Sequence, residues 1–229
     1  MRAKPYKKKH PVLRRMLLLV LFFLFLAAFW FVNTFVPFPH KVTVESEKIN
    51  EPVTLVQLSD LHGASFGPDN SYLKWLIRQA KPDAIVATGD LFTHGDEAGK
   101  KVAIKLLSDL AKEYSVYMVP GEHDNNKTYL QSLQDAGVQV LTYEKEDVEL
   151  NGNPITFYGI DNAYYSPTFD LHREFTPDDD RYNILLAHIP SVSALDPFGA
   201  DLTLCGDTHG GMVQIPFLGP LYLDGVWLP

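Results

Sequence analysis

The chain has 229 residues, of which 28 are acidic and 20 basic, and its formal net charge is −8 at pH 7. This length suits one globular domain of about 150 to 200 residues with a sizeable core, plus an accessory segment. Seven of the basic residues lie in the first 15 positions, which contain no acidic residue, so the remainder is strongly acidic. A body of that charge repels DNA and RNA, and we expect no nucleic-acid partner. Because Cys205 is the single cysteine, an internal disulfide is excluded.

A basic head at residues 1–15 precedes an uncharged apolar run at residues 16–36. A run of about 20 apolar residues predicts one membrane-spanning helix about 30 Å long. A cleaved signal peptide would end in small residues, whereas bulky Phe29, Trp30 and Phe31 follow the alanines here. A peripheral amphipathic helix is disfavoured because the run is apolar on nearly all sides. We therefore predict a single-pass anchor in the cell membrane, with the N-terminus cytoplasmic and the body extracytoplasmic.

Strands and helices alternate in the first half of the body. We interpret residues 37–52 as a linker and first strand, and residues 53–229 as one domain. The next predicted elements are, in chain order, a strand at 54–58, a helix at 71–80, a strand at 84–88, a helix at 97–114 and a strand at 116–120. This alternation predicts a mostly parallel sheet covered by helices.

From residue 138 the predicted elements are shorter and extended. Two runs at 147–150 and 155–158 flank Asn151, Gly152 and Asn153, a sequence typical of a β-hairpin turn. We therefore expect a second, partly antiparallel sheet. Residues 163–180 are rich in aromatic residues, proline and acids, and we interpret them as a loop with room for one helical turn.

Five apolar runs of this body end on carboxylate or imidazole side chains. Asp60 and His62 follow the run at 54–58, and Asp90 follows the run at 84–88. Glu122 and His123 follow the run at 116–120, His188 follows the run at 184–187, and Asp207 and His209 follow the run at 202–205. In an open α/β sheet, functional residues gather at the carboxyl ends of the strands, so these side chains are expected to meet. Two cations held there would lower the pKa of a water between them. The pattern predicts a binuclear metal site.

The motifs SDLH, TGD, GEHD, AHIP and GDTHGG resemble the calcineurin-like metallophosphoesterase superfamily over residues 53–220. The apolar start and the run THGGMVQIPFLGP are similar to its bacterial membrane-anchored branch, which includes relatives of UDP-2,3-diacylglucosamine hydrolase. The resemblance implies a four-layer α/β/β/α sandwich with two divalent metal ions, Mn, Fe, Mg or Zn. It implies that Asp60, His62 and His209 hold the first metal, that Asp90 bridges, and that His188, Glu122 and Asp207 hold the second. It also implies that His123 contacts the phosphate and leaving oxygen, oriented by Asp124.

The chain departs from the family pattern at two proposed ligands of the second metal. Position 122 is normally Asn and position 207 normally His, whereas this chain has Glu122 and Asp207. The added negative charge lowers the attraction for phosphate, and the added oxygen favours harder ions such as Mg, Mn or Ca. Family members also continue through further strands, so a C-terminally truncated domain is expected.

Two functions remain open from the sequence. The first is a membrane-anchored phosphoesterase that hydrolyses phosphomonoester, phosphodiester or pyrophosphate bonds, with a lipid-linked or sugar-nucleotide substrate. The alternative is a catalytically impaired, metal-binding relative that serves as a binding module at the envelope, motivated by Glu122 and Asp207. A nuclease is disfavoured by the acidic body.

Overall fold

The structure is a computed structural model that describes residues 11–161 and 170–210, together with the backbone of three short strands at 213–215, 219–223 and 226–227. Its contacts divide the chain into two compact units, Met1–Lys41 and Val42–Pro229. Part of the predicted aromatic loop, residues 162–169, and the first ten residues of the basic head lie outside the described residues.

The first unit contains one helix, α1, at Pro11–Phe35. Its segment Pro11–Val32 has a mean hydropathy of 2.5 and is 0% buried, so it is long and apolar enough to cross a membrane. The apolar run predicted at 16–36 is thus helical almost to its end, and the helix also includes Arg14 and Arg15. Signal sequences and membrane anchors share this length and composition.

The second unit alternates strands with helices and then continues mainly in strands. Its helices are α2 Ser71–Ala80, α3 Glu97–Ala111, α4 Lys127–Asp135 and α5 Val192–Leu195. Its strands are β1 Leu55–Leu58, β2 Ala84–Ala87, β3 Val116–Met118, β4 Gln139–Val140, β5 Glu144–Leu150, β6 Asn153–Gly159, β7 Tyr182–Leu186, β8 Leu202–Leu204, β9 Val213–Ile215, β10 Gly219–Leu223 and β11 Val226–Trp227. Short 3₁₀ turns lie at Pro68–Asn70, Leu171–Arg173 and Asp196–Phe198.

These strands form three sheets. Sheet 1 has the order β1-β2-β3-β4, and all of its pairs are parallel. Sheet 2 has the order β5-β6-β7-β8, with β5 antiparallel to β6 and the other pairs parallel. Sheet 3, formed by β9, β10 and β11, is antiparallel and was not predicted. The first two sheets confirm the predicted parallel and partly antiparallel arrangement.

Side chains of sheet 1 alternate between two cores because successive residues of a strand point to opposite faces. Ile85 and Ala87 of β2 contact α3 and α4 in an outer core that includes Leu107 and Leu133. The intervening Val86 faces sheet 2, in a central core shared by the two sheets. Burying each large apolar side chain of this kind contributes about 1.5 to 3 kcal/mol.

Sheet 2 has the same alternation. Phe157 and Ile184 enter the central core, where the Phe157 ring stacks on Tyr117 of sheet 1 with centroids 4.4 Å apart. Leu185 points the other way and packs with Phe198 and the short helical turns after β7. The unit is therefore an α/β/β/α sandwich, as predicted, although its second helical layer consists of short turns.

Several element bounds agree with the sequence, and some do not. Helix α2 has the predicted bounds. The turn of the hairpin lies at Asn151 and Gly152, whose φ angles of 49° and 74° are those that a type I′ turn requires. The first strand predicted within 37–52 is wrong, because the structure assigns no strand there and β1 begins at Leu55. Helix α4 was missed because its residues are largely polar; its sequence signal was Asn126, whose side chain caps the helix by accepting from the Tyr129 N–H.

A carboxylate on α3 joins the two long helices of the outer layer. Asp109 lies 2.9 Å from Lys112, 2.9 Å from Lys74 of α2 and 3.0 Å from Lys105. Hydrogen bonds from these three ammonium groups hold the pKa of Asp109 well below its usual range. A network of this kind stabilises more than an isolated surface pair does.

We expect Asp109→Asn to lower the free energy of unfolding by about 1 kcal/mol at pH 7, because three cations lose one anion. A carboxyl with a lowered folded pKa stabilises the fold above its unfolded pKa and loses that contribution as the pH falls. The difference from the wild type should therefore shrink below about pH 4. Urea unfolding followed by circular dichroism at pH 7 and pH 3 measures it. Asp135→Asn, which removes an exposed carboxylate bonded to Gln131, is the control; a pH-independent difference would contradict the expectation.

Candidate metal centre

The carboxyl ends of five parallel strands place the predicted ligands at one edge of the second unit. Those strands are β1, β2 and β3 of sheet 1 and β7 and β8 of sheet 2. Backbone bonds join the loops that follow them: the N–H of Asp60 donates to the Gly89 carbonyl, and the N–H of His62 donates to the Asp90 carbonyl. Across the sheets, the Asp207 N–H donates to Asp60 Oδ1 at 3.0 Å. Loops that follow strands far apart in sequence therefore lie next to one another.

Three side chains form a nitrogen-rich side of this cluster. His62 Nε2 and His209 Nε2 are 3.3 Å apart, and their rings stack with centroids separated by 4.9 Å. Asp60 Oδ1 lies 3.9 Å from His209 Nε2. One ligand atom from each of these residues lies within 4.8 Å of the others, so the three could hold a metal ion.

Asp90 lies between the imidazoles of the cluster. Its Oδ2 is 3.3 Å from His188 Nε2 and 4.0 Å from His123 Nε2, and its Oδ1 accepts the His123 backbone N–H at 2.9 Å. Burial opposes ionisation, but His188 and the His123 N–H outweigh it and lower the pKa of Asp90. Asp90 also belongs to two groups that could hold a metal, with His62 and His123 and with Asp60 and His188.

His188 is the most deeply buried imidazole of the cluster, with 2% of its surface exposed. Its Nδ1 lies 2.7 Å from the Thr88 carbonyl, so Nδ1 carries a proton and Nε2 faces the carboxylates. Nε2 is buried and has no hydrogen-bond partner among the described residues. Burial disfavours the charged ring, but Asp90 and the Thr88 carbonyl outweigh this effect and raise the pKa of His188 to about 9. The position thus attracts a cation.

Glu122 and Asp207 complete the other side of the cluster and are partly exposed. Asp207 Oδ1 is 3.9 Å from His188 Nε2, and Glu122 Oε1 is 3.8 Å from His123 Nε2. Their side chains are 45% and 43% exposed. Burial raises the pKa of Asp207, and although His188 opposes this, the negative charges of Asp60, Glu122 and Asp90 raise it further. Both predicted residues therefore lie beside the cluster, but neither belongs to the three groups whose ligand atoms lie within 4.8 Å of one another.

Asp124 does not contact His123 in the manner predicted. The carboxylate is fully buried and accepts the backbone N–H groups of Leu91 at 2.9 Å and Gly121 at 2.7 Å. Burial raises its pKa, although these two bonds oppose the shift. Within the described ranges Asp124 makes no hydrogen bond to the His123 ring, because both carboxylate oxygens face the backbone. It joins the loop after β2 to the loop after β3.

The His123 ring has a contact that the sequence did not predict. The backbone N–H of His94 donates to His123 Nδ1 at 3.4 Å. Nδ1 is therefore an acceptor, and the proton of the neutral ring is on Nε2, the nitrogen nearest Glu122 and Asp90. His94 was interpreted as a solvated loop residue, and its side chain is exposed, so only its backbone contributes.

Backbone strain is concentrated among the predicted ligands. A positive φ of 46° to 67° is adopted by Asp60, His62, Asp90, Asp207 and His209. A left-handed conformation costs a residue with a side chain about 1 to 2 kcal/mol, and such residues cluster at functional sites. The motif spacing predicted the residues but not this conformation, because the contacts that stabilise it come from other loops.

The donor set suits divalent metal ions. Carboxylate oxygens and imidazole nitrogens converge from five loops, and three overlapping groups of them could each hold an ion. The buried, unpartnered Nε2 of His188 has an unshared pair directed at this cluster when the ring is neutral. These residues therefore fit a metal centre.

Comparison with known proteins agrees with this geometry. A model of the calcineurin-like phosphoesterase family matches residues 53–211, which include every predicted ligand. The chain belongs to this family. As a family member it is a metal-dependent hydrolase of phosphoric ester bonds, with the mixed α/β fold described above.

Relatives in bacteria carry consistent names. An uncharacterized metallophosphoesterase of Aquifex aeolicus is 30% identical over 201 residues, which are 82% of this chain and 76% of the relative. YkuE of Bacillus subtilis, also an uncharacterized metallophosphoesterase, is 28% identical, covering 73% of this chain and 62% of YkuE. The phosphodiesterase YaeI of Escherichia coli is 26% identical, covering 73% of this chain and 64% of YaeI.

Proposed function

We propose that this phosphoesterase binds two divalent cations at the described cluster and hydrolyses a phosphodiester or pyrophosphate bond at a membrane surface. The observation that carries the proposal is the convergence on His188 Nε2: a buried nitrogen without a partner faces Asp90 at 3.3 Å and Asp207 at 3.9 Å. A positive charge at Nε2, carried by a proton or by a metal ion that replaces it, would satisfy this nitrogen and the two carboxylates that face it.

The residues divide into two ligand positions that share Asp90. The first position would be held by Asp60, His62 and His209, and the second by Glu122, His188 and Asp207. When bound there, two cations supply charge for the phosphoryl oxygens and lower the pKa of a water. The Thr88 carbonyl orients His188 by accepting a hydrogen bond from its Nδ1–H, so that Nε2 is directed into the cluster.

His123 is suited to protonate the leaving oxygen. Its Nδ1 accepts from the His94 N–H, so its Nε2 proton faces the carboxylates around which a phosphate would lie. Donation of that proton would neutralise charge on the departing oxygen. Asp124 acts through the backbone instead: its bonds to Leu91 and Gly121 hold the loops that carry Asp90 and His123. Asp124 is thus a positioning residue.

Helix α1 supports a location at the membrane. Its 22-residue apolar segment is long enough to cross the bilayer, and the basic residues at its N-terminal end favour a cytoplasmic N-terminus. A lipid-linked or sugar-nucleotide substrate would be within reach of a domain tethered there. The name of YaeI, a phosphodiesterase, adds support for a diester.

The function is tested on the full chain, purified in detergent micelles and stripped of metal with a chelator. We expect hydrolysis of bis-p-nitrophenyl phosphate to appear when Mn²⁺ is returned and to be absent without metal. Membrane extraction at alkaline pH and protease accessibility in spheroplasts test the anchor and its orientation. Metal binding without hydrolysis, with turnover gained in the Glu122→Asn, Asp207→His double variant, would contradict the proposal and favour a catalytically impaired relative.

His123→Gln should reduce turnover in a way that depends on the leaving group. General acid catalysis contributes about 10²-fold or more when the departing oxygen is basic, as in an alkyl ester. Nitrophenolate leaves without protonation, so its aryl ester should lose much less. Comparison of kcat for methyl p-nitrophenyl phosphate and for a dialkyl phosphate, each in both proteins, measures the difference. An equal loss for both leaving groups would show that His123 binds phosphate without donating a proton.

A further inference from the structure

The two sides of the cluster differ in ligand chemistry. On one side, the imidazoles of His62 and His209 converge to 3.3 Å. On the other, the Asp207 carboxylate lies 3.9 Å from His188 Nε2, and the Glu122 carboxylate lies 3.8 Å from His123 Nε2. We propose that the two positions select different cations: the first retains Zn²⁺, while the second exchanges readily to a hard cation such as Mn²⁺. The proposal rests on the proposed metal-dependent function and makes Glu122 and Asp207 the residues that determine metal choice.

The second position is more than a group of acidic side chains. Only 2% of the His188 surface is exposed, and its buried Nε2, which has no hydrogen-bond partner among the described residues, faces Asp90 and Asp207. Its Nδ1 is fixed on Thr88 at 2.7 Å, so the ring cannot turn away without losing that bond. A ligand atom directed at the carboxylates is therefore already in place.

The numbers of nitrogen and oxygen donors indicate which metal ion each position prefers. The first position has two imidazoles with Asp60 and the shared Asp90, a mixed set that suits Zn²⁺. The second, as proposed above, would have one imidazole with Asp90, Glu122 and Asp207, so three of its four donors would be carboxylates. Oxygen donors favour Mn²⁺ and Mg²⁺ relative to Zn²⁺, which prefers nitrogen and sulfur.

Access of water is compatible with a hard cation at the second position. The side chains of Glu122 and Asp207 are 43% and 45% exposed, so water can reach the second position. Hard divalent ions keep several waters in octahedral coordination, whereas Zn²⁺ is satisfied by a closed tetrahedral set. The first position is not more enclosed as a whole, because the Asp60 side chain is 9% exposed but that of His209 is 51% exposed.

The test is metal exchange, which needs no substrate. The full chain in detergent is loaded with Zn²⁺ at a buffered free concentration, and Mn²⁺ is then titrated; bound metals are counted by plasma mass spectrometry and Mn²⁺ by electron paramagnetic resonance. We expect one of two bound Zn²⁺ ions to be displaced first, giving an uncoupled Mn²⁺ signal. In the Glu122→Asn, Asp207→His variant, that displacement should need at least about tenfold more Mn²⁺.

Control variants separate charge from donor type. Glu122→Gln and Asp207→Asn keep the side-chain shape and an oxygen but remove the charge, and each should shift the Mn²⁺ midpoint less than the double variant does. Asp135→Asn should leave the midpoint unchanged. Thermal melting followed by circular dichroism establishes that each variant is folded; both altered side chains are partly exposed, so little loss is expected.

Displacement of both Zn²⁺ ions together, saturation with a single ion, or an unchanged midpoint in the double variant would overturn the inference. Hydrolysis assays on the same samples distinguish its failure from that of the proposed function. Stepwise exchange without hydrolysis would overturn the function alone, and hydrolysis with simultaneous exchange would overturn the metal preference alone.

Discussion

Replacing Asp90 with asparagine is expected to reduce turnover by at least about 10²-fold and to lower the bound metal by one ion or more per chain. In the proposed arrangement Asp90 is shared by the two ligand positions: its Oδ2 is 3.3 Å from His188 Nε2, and it belongs to two of the groups that could hold a metal. The amide keeps an oxygen that can still accept the His123 N–H, so the loop should stay in place. What is lost is the negative charge between the positions.

Two measurements separate this effect from unfolding. Metal content by plasma mass spectrometry and turnover of bis-p-nitrophenyl phosphate should fall together, while the melting temperature of the metal-free protein shows that the variant is folded. Asp135→Asn makes the same chemical change on an exposed residue of α4 and should alter neither quantity. Turnover within about tenfold of the wild type would show that Asp90 does not bridge, since loss of a single transition-state contact typically costs more.

The approach of these side chains to one another could be predicted from local sequence in two steps. Each follows an apolar run, and an apolar run of four or five residues between turn signals is a buried strand, as β2 and β7 show by having every residue buried. Parallel strands then bring their carboxyl ends to one edge. Asp60, Asp90 and His188 meet for this reason, although 128 positions separate the first from the last in the chain.

What could not be predicted depends on contacts between loops. The family resemblance implied that Asp124 orients His123, but the carboxylate accepts hydrogen bonds from the backbone N–H groups of Leu91 and Gly121. The hydrogen bond from the His94 N–H to His123 Nδ1 joins loops that follow different strands, so the spacing of residues along the sequence does not indicate it. The positive φ of Asp60 likewise depends on tertiary contacts, because neither residue type nor motif requires it.

The close approach of these loops also requires a glycine at position 89. Gly89 has φ of +91°, and a Cβ placed on it would overlap the Gly121 backbone nitrogen and lie 2.8 Å from His188 Nδ1. The Gly121 N–H is the group that donates to Asp124, and His188 Nδ1 is the atom fixed on Thr88. A methyl group here would therefore displace two of the bonds that build the cluster.

Gly89→Ala should lower the free energy of unfolding by about 3 kcal/mol, the sum of left-handed backbone strain and overpacking. Gly137→Ala is the matched control, because Gly137 has nearly the same φ, +92°, and nothing lies within 4 Å of its added Cβ. The control should lose only the backbone part, about 1 to 2 kcal/mol, and keep its metal and turnover. Urea unfolding and metal content of both variants measure the difference. Equal losses of stability would mean that backbone strain alone requires glycine at position 89; a stability gap accompanied by metal loss only in Gly89→Ala would show that the packed strand-end loops hold the ligands in place.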